Sequence, residues 1–288
     1  MYYTNIDIDF KSDMKSLNSA EKITSILFAV LTGWWAVLYF YYGAELVDQN
    51  LYWAATYQVL AIWGGLFGLY TSRSWGGMRS RMGKSIAFLS IGLLLQAFGQ
   101  SSFSYYTTVL GVNIPYPSIA DVGYFGSVIF YIIGIYSLAR VSGVSVALKK
   151  YRGKGLAVLI PAILLIFSYS LFLSSYQFDW SNPLRVFLDF GYPIGQAIYV
   201  SIAVLAFVLS KDVLGGIMRG PIIFVIYALV IQYLADSNFL FQAINSTWIN
   251  GGYGDFLYTL AYFLMAISLV KTEYVLRRYQ QRDPNILQ

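Results

Sequence analysis

The chain has 288 residues, 58% of them hydrophobic and 11% charged, with a mean hydropathy of +0.59 and a formal net charge of +5. Usage this apolar excludes an ordinary soluble domain and predicts an all-α integral membrane protein. Cys and His are both absent, which excludes disulfides, thiol nucleophiles, thiolate or imidazole metal sites and histidine-ligated haem; no cofactor is indicated.

Residues 1–22 are polar, with Asp7, Asp9, Lys11, Asp13, Lys15, Glu21 and Lys22. They lack the short basic region and apolar core of a signal peptide and read as a cytosolic arm. Apolar runs long enough to cross a bilayer follow, at about 23–42, 51–71, 85–107, 119–139, 155–175, 186–209, 220–241 and 254–272, each needing ~20 residues. The prediction is eight transmembrane helices in four hairpins over 23–273, then a basic cytosolic tail over 274–288. Of the 19 Lys and Arg residues, 18 fall in the two tails or the even-numbered connections, and only Arg185 falls on the other side. This bias predicts both termini in the cytoplasm of a multi-pass cell-membrane protein. The positive charge then faces anionic lipid and not nucleic acid.

Trp34, Trp35, Tyr39, Tyr41 and Tyr42 close the first span as an interfacial belt. Gly64, Gly65 and Gly68 give the second a surface for close helix packing. The third rises to Gln96 and Gln100, amides that need partners in hydrocarbon. Pro115-Tyr116-Pro117-Ser118-Ile119-Ala120-Asp121-Val122-Gly123-Tyr124 then opens the fourth. Two prolines bar any preceding helix from continuing, Ser118 is a candidate N-cap, and Asp121 stands three residues on, where the helix dipole favours a negative charge. The fifth span is almost without polar residues and is expected to face lipid. The sixth opens with Arg185 and Asp189, paired at i, i+4, then Tyr192, Pro193 and Gln196; Pro193 either bends that helix or marks its start. The seventh carries Gln232, Asp236 and Asn238. Asn245-Ser246-Thr247 is a glycosylation sequon on the outer side, with Asn245 as acceptor.

The opening of the fourth span recurs. Asp255-Phe256-Leu257-Tyr258 begins the eighth with the same Asp-x-x-Tyr spacing, and Gln196-Ala197-Ile198-Tyr199 begins another with Gln for Asp. The preceding helices also match, Gln96–Phe103 against Gln232–Phe239, at an offset of 136 residues against 134 for Asp121 and Asp255. The two hairpins read as internal repeats, a pattern common where membrane proteins bind something between copies.

Asp121, Asp189, Asp236 and Asp255 all fall in the outer third of their spans, with Gln96, Gln100, Gln196 and Gln232 beside or below them. Asp121 and Asp255 also fit as helix caps; Asp236 is too far from a helix end for that. An ionisable residue inside a span is a functional-site candidate. With Tyr124 and Tyr258, these residues predict an outward-facing polar pocket for a small cationic or polyhydroxylated ligand. The competing reading is that they hydrogen-bond one another between helices. Lys271, at the inner end, does not suit a retinal linkage. No spacing matches a catalytic motif, so the protein is not expected to be an enzyme.

Pro-x-Pro-Ser-x-Ala-Asp-x-x-Tyr at 115–124, with Tyr192-Pro193-Ile194-Gly195-Gln196 and Gly254-Asp255-x-x-Tyr258, resembles the multi-helix membrane sensor regions that precede diguanylate cyclase, phosphodiesterase or histidine kinase domains. The resemblance covers about residues 23–275 and implies a sensor module in signal transduction. Here no output domain is expected, which implies a stand-alone relative or one acting through a separate signalling partner. Three functions therefore stand: a small-ligand sensor, a solute or proton transporter, and a non-catalytic subunit of a larger membrane complex.

Overall fold

The computed structural model describes residues 19–42, 47–141, 151–170, 180–209, 219–245 and 247–282. Most of the expected N-terminal arm, Lys149, Lys150 and Lys211 of the basic connections, the outer end of the fifth span, Ser246 of the sequon and the end of the tail lie outside these residues.

Nine α-helices occur among the described residues: α1 Ser19–Ala36, α2 Val47–Ala54, α3 Val59–Ser74, α4 Arg81–Ser104, α5 Ile119–Val141, α6 Tyr151–Ser168, α7 Pro183–Leu209, α8 Arg219–Ile244 and α9 Tyr253–Arg282. Short π-helical turns over Val37–Tyr42 and Tyr105–Val109 extend α1 and α4. Six helices are long and apolar enough to cross a membrane: Ser19–Tyr42, Arg81–Val109, Ile119–Val141, Pro183–Val208, Gly220–Ala243 and Tyr253–Leu276. The chain is a multi-pass membrane protein.

The helix starts follow local chemistry. Ser80 caps α4, its hydroxyl accepting the Gly83 N–H at 2.8 Å. Asn182 caps α7 by accepting the Arg185 N–H at 3.1 Å, and Pro183 occupies the first helical position, where its missing N–H costs nothing. Pro193 therefore lies inside α7 and does not mark its start.

The expected second span is not one helix. It breaks between α2 and α3 at residues 55–58, where Thr56 N–H and Tyr57 N–H both reach the Trp53 carbonyl. The Thr56 hydroxyl bonds back to the Tyr52 carbonyl at 2.6 Å, a side-chain competitor for the helical ladder. The break leaves the Ala54 carbonyl to a side chain from another helix, the Gln100 amide, at 3.2 Å.

Helices α3, α4, α5, α7, α8 and α9 pack as a ring in that order, α9 returning to α3. The ring is thus two arcs, α3–α4–α5 and α7–α8–α9. Outside it, α1 packs on α9 and α3, and α6 on α7. The exposed face is apolar, with Ile26, Val30, Leu66, Val122, Ile129 and Ile133, as lipid requires. On α6, Val158, Leu159, Ile163 and Ile166 are exposed, in keeping with a lipid-facing fifth span.

The expected glycine packing is present. A Cβ on Gly64 of α3 would sit 2.4 Å from the Ala266 Cβ of α9. Between α4 and α5 the approach is backbone to backbone: a Cβ on Gly123 would lie 2.5 Å from both the Gly99 nitrogen and the Leu95 oxygen.

Candidate functional site

The ring has two unlike ends. One carries the 115–118 loop and the starts of α5, α7 and α9; the other carries Arg81, Arg140 and Lys271. Every residue singled out for the site lies toward the first end, where hydrogen bonds gather them into separate groups: Asp236 with Gln196, Gln232 and Tyr258, Gln96 and Gln100 with Tyr124 and Ser127, and Asp121 and Asp255 each with partners of its own.

Asp121 and Asp255 are both caps and cross-helix acceptors. Asp121 is the third residue of α5. Its Oδ2 accepts the Ser118 N–H at 2.7 Å while the Ser118 hydroxyl accepts the Ala120 N–H at 3.2 Å, the reciprocal pattern of a capping box. Asp255 holds the same position in α9, its Oδ2 accepting the Gly251 N–H at 2.7 Å. Each then takes a phenol from a neighbouring helix on Oδ1. The Tyr192 hydroxyl of α7 donates to Asp121 at 2.9 Å, and the Tyr57 hydroxyl, just before α3, donates to Asp255 at 2.9 Å. Asp255 is 3% exposed, whereas Asp121 is half-buried.

Asp236 stands eight residues inside the end of α8 and is no cap. It accepts three donors: the Tyr258 hydroxyl at 2.7 Å, the Gln196 amide at 2.8 Å and the Gln232 amide at 3.2 Å. The matching position in α4 is Gln100, whose Oε1 accepts the Tyr124 hydroxyl at 2.7 Å. One turn further from this end, the Gln96 Oε1 accepts the Tyr262 hydroxyl at 3.1 Å and its amide donates to the Ser127 hydroxyl at 2.7 Å. A bare amide or carboxylate in hydrocarbon costs several kcal/mol, roughly 2–7 for the amide, so such groups survive only when paired.

Asp189 stands apart from this set. It pairs with Arg185 at 3.8 Å and accepts the Tyr116 hydroxyl at 2.8 Å, so Arg185 has the expected structural partner. Burial, then the hydrogen bond and charge of Asp189, push the Tyr116 phenol well above its ordinary value. Asn245 is exposed, its amide donating to the Phe241 carbonyl at 2.8 Å.

Four donors were not among the expected site residues: Tyr57, Tyr116, Tyr192 and Tyr262. Tyr57 had a readable signal. It lies 135 positions before Tyr192, close to the offset of the two aspartates, and the two tyrosines exchange bonds across the ring, each donating to the far arc's aspartate. No family model, curated protein or solved structure matches the chain.

Its chemistry therefore has to be read from these contacts alone. The eight expected carboxylates and amides meet tyrosines, serines, backbone groups, Arg185 and one another, contacts of the kind weighed above as the competing reading. A cleft of about 240 Å³ also opens at this end, but its lining is Asn50, Leu51, Thr107, Gly111, Val112, Asn113, Ile249 and Asn250. None of the expected pocket residues is among them. Lys271, at the opposite end, pairs with Glu21 at 3.3 Å and stands over the Phe224 ring, joining α9 to the start of α1.

Proposed function

We propose that the chain is a small-ligand binding and sensing module of the cell membrane. It crosses the bilayer eight times, with both termini in the cytoplasm, and is built from two copies of one helical unit. The observation that carries the functional reading is Asp236: a carboxylate within a span, reached by donors from α7, α8 and α9, with matching Tyr–Gln and Tyr–Asp pairs around it. A carboxylate within a span carries a cost that apolar residues avoid, which makes it a functional-site candidate. The motif resemblance at 115–124 supports sensing as the use made of it.

The repeat rests on the shared bonds. Tyr124 to Gln100 and Tyr258 to Asp236 link equivalent positions within each arc, and Tyr57 to Asp255 and Tyr192 to Asp121 link the arcs reciprocally. Both hairpins run in the same direction in the proposed topology, so the copies are parallel. Repeats also favour a transporter. Against that, the span residues between the Asp236 level and Lys271 include no Asp, Glu, Lys or Arg among the described helices.

Native mass spectrometry of protein purified gently from its own membranes tests the function. A small-molecule adduct that disappears in the Asp121→Asn, Asp236→Asn, Asp255→Asn triple variant is expected; an adduct that survives all three removes the site assignment, and solute flux in reconstituted vesicles replaces sensing by transport. The chain has no native Cys, so single cysteines report topology directly. Asn113→Cys is expected to label from outside the cell and Arg79→Cys only after permeabilisation; the reverse overturns the proposed orientation.

A further inference from the structure

The two arcs correspond at a spacing of 134–136 residues: Tyr57 with Tyr192, Gln96 with Gln232, Gln100 with Asp236, Asp121 with Asp255, and Tyr124 with Tyr258. The arcs differ at many other positions, Ser127 against Ala261 and Val128 against Tyr262 among them, and three of the differences concern Asp236 and its helix neighbours. Gln196 stands where the first arc has Ala61, Tyr199 where it has Gly64, and Asp236 where it has Gln100. The first two of these add a polar group and the third a charge. The Gln196 amide donates to the Asp236 carboxylate. Tyr199 lies one turn further along the same face of α7 from Gln196.

Tyr199 is 1% exposed and its hydroxyl has no hydrogen-bond partner. Buried hydroxyls are ordinarily paired, and an exception calls for an absent partner. The amides of Gln196 and Gln232 each spend their N–H on Asp236, and among the described residues neither amide oxygen accepts a hydrogen bond. Rotation of either amide about its terminal bond turns that oxygen toward the carboxylate. Three donors match a carboxylate that accepts and does not donate, and no Lys or Arg among the described residues pairs with it. A single negative charge with oxygen neighbours and no counter-charge suits one hard, singly charged cation. A divalent ion needs more: no group of three or more acidic, His or Cys residues exists among the described ones.

We propose that Asp236, Gln196, Gln232 and Tyr199 form a site for one monovalent metal cation of sodium or potassium size, placed where the two halves of the chain differ. The ion takes oxygens from the carboxylate, the two rotated amides and the Tyr199 phenol. This inference rests on the reading of the chain as a binding module and names the class of its ligand.

Thermal unfolding of the full chain in detergent, at equal ionic strength in sodium, potassium or N-methyl-D-glucamine chloride, tests it. Sodium or potassium is expected to raise Tm by a few degrees in a saturable way relative to the organic cation, because a ligand held only by the folded state stabilises it by mass action. Asp236→Asn is expected to abolish the response. Tyr199→Phe should weaken apparent affinity about tenfold, the effect of one lost contact of ordinary strength. Ser137→Ala, at an exposed site elsewhere on α5, should leave the response unchanged. Should Asp236→Asn fail to fold, equilibrium dialysis of the native protein with radioactive sodium is expected to give one ion per chain, and weaker binding in Tyr199→Phe. Equal Tm in all three salts, or a sodium response kept in Asp236→Asn, overturns the proposal. A small-molecule adduct without any response to sodium or potassium overturns the cation assignment while sparing the binding-module reading; neither adduct nor salt response overturns both.

Discussion

Replacing Tyr57 by Phe removes one oxygen and leaves the ring in place, so it isolates the bond to Asp255 without opening a cavity. Tyr57 is fully buried, Asp255 is 3% exposed, and their oxygens lie 2.9 Å apart. After the change Oδ1 has no donor, and Oδ2 keeps only the Gly251 N–H. Hydrogen bonds to charged groups contribute about 1.5–3 kcal/mol in soluble proteins, while interhelical bonds in membrane proteins average ~0.6 with a maximum of ~1.7. The burial of both partners places Tyr57→Phe toward the upper part of the membrane range, about 1.5 kcal/mol. Tyr192→Phe removes the reciprocal bond, but Asp121 is half-buried and water can replace the phenol, so about 0.5 kcal/mol is expected. The assay is reversible unfolding in mixed micelles titrated with a denaturing detergent, both variants side by side. A Tyr57→Phe cost below about 0.3 kcal/mol, or a Tyr192→Phe cost equal to it, refutes the argument that burial sets the strength of these paired bonds.

Gly123→Ala places a methyl group 2.5 Å from backbone atoms of α4; a loss of about 1–3 kcal/mol is expected, with α5 displaced from α4, and Tm measures it. Gln100→Leu strands the Ala54 carbonyl at the break in the second span. A loss of roughly 1–3 kcal/mol should follow, with faster amide hydrogen exchange confined to residues 54–58. Lys271→Met leaves Glu21 buried without its cation; because Lys271 is partly exposed, about 1–2 kcal/mol is expected. The double variant with Glu21→Gln should recover most of that loss in the same unfolding assay. The raised phenol of Tyr116 stays protonated as pH climbs past its ordinary value of 10.0. Its bond to Asp189 therefore survives through pH 10 and is lost only as pH rises through the raised value, and Tyr116→Phe is expected to leave the tyrosinate absorbance step near pH 10 unchanged.

The class of protein and the end of the bundle that carries its polar chemistry are legible in the sequence alone. Runs of about 20 apolar residues read as membrane helices because no other continuous structure satisfies its backbone in lipid. The capping role of Asp121 is legible because it depends on a neighbour three residues away, Ser118. The pairing of Arg185 with Asp189 is legible for the same reason. The spacing also sets Gln96 against Gln232 and Asp121 against Asp255, the basis of the proposed repeat.

Only the tertiary structure decided which partners those polar groups take. The break before α3 depends on Trp53, whose indole donates to the Leu31 carbonyl, and on Gln100 reaching the Ala54 carbonyl freed at the break. Neither contact leaves a periodic trace, since the partners lie 22 and 46 positions apart. The reciprocal phenols of Tyr57 and Tyr192 cross the seams where one arc meets the other, 198 and 71 positions from their acceptors. Hydrophobic patterning tells a helix which residues to hide from lipid, and any of several neighbours satisfies that demand. The ring order, set by close glycine contacts such as Gly64 on Ala266 and Gly123 on Gly99, decides which of them it meets. That order also leaves the Tyr199 hydroxyl buried without a partner, one turn along α7 from Gln196.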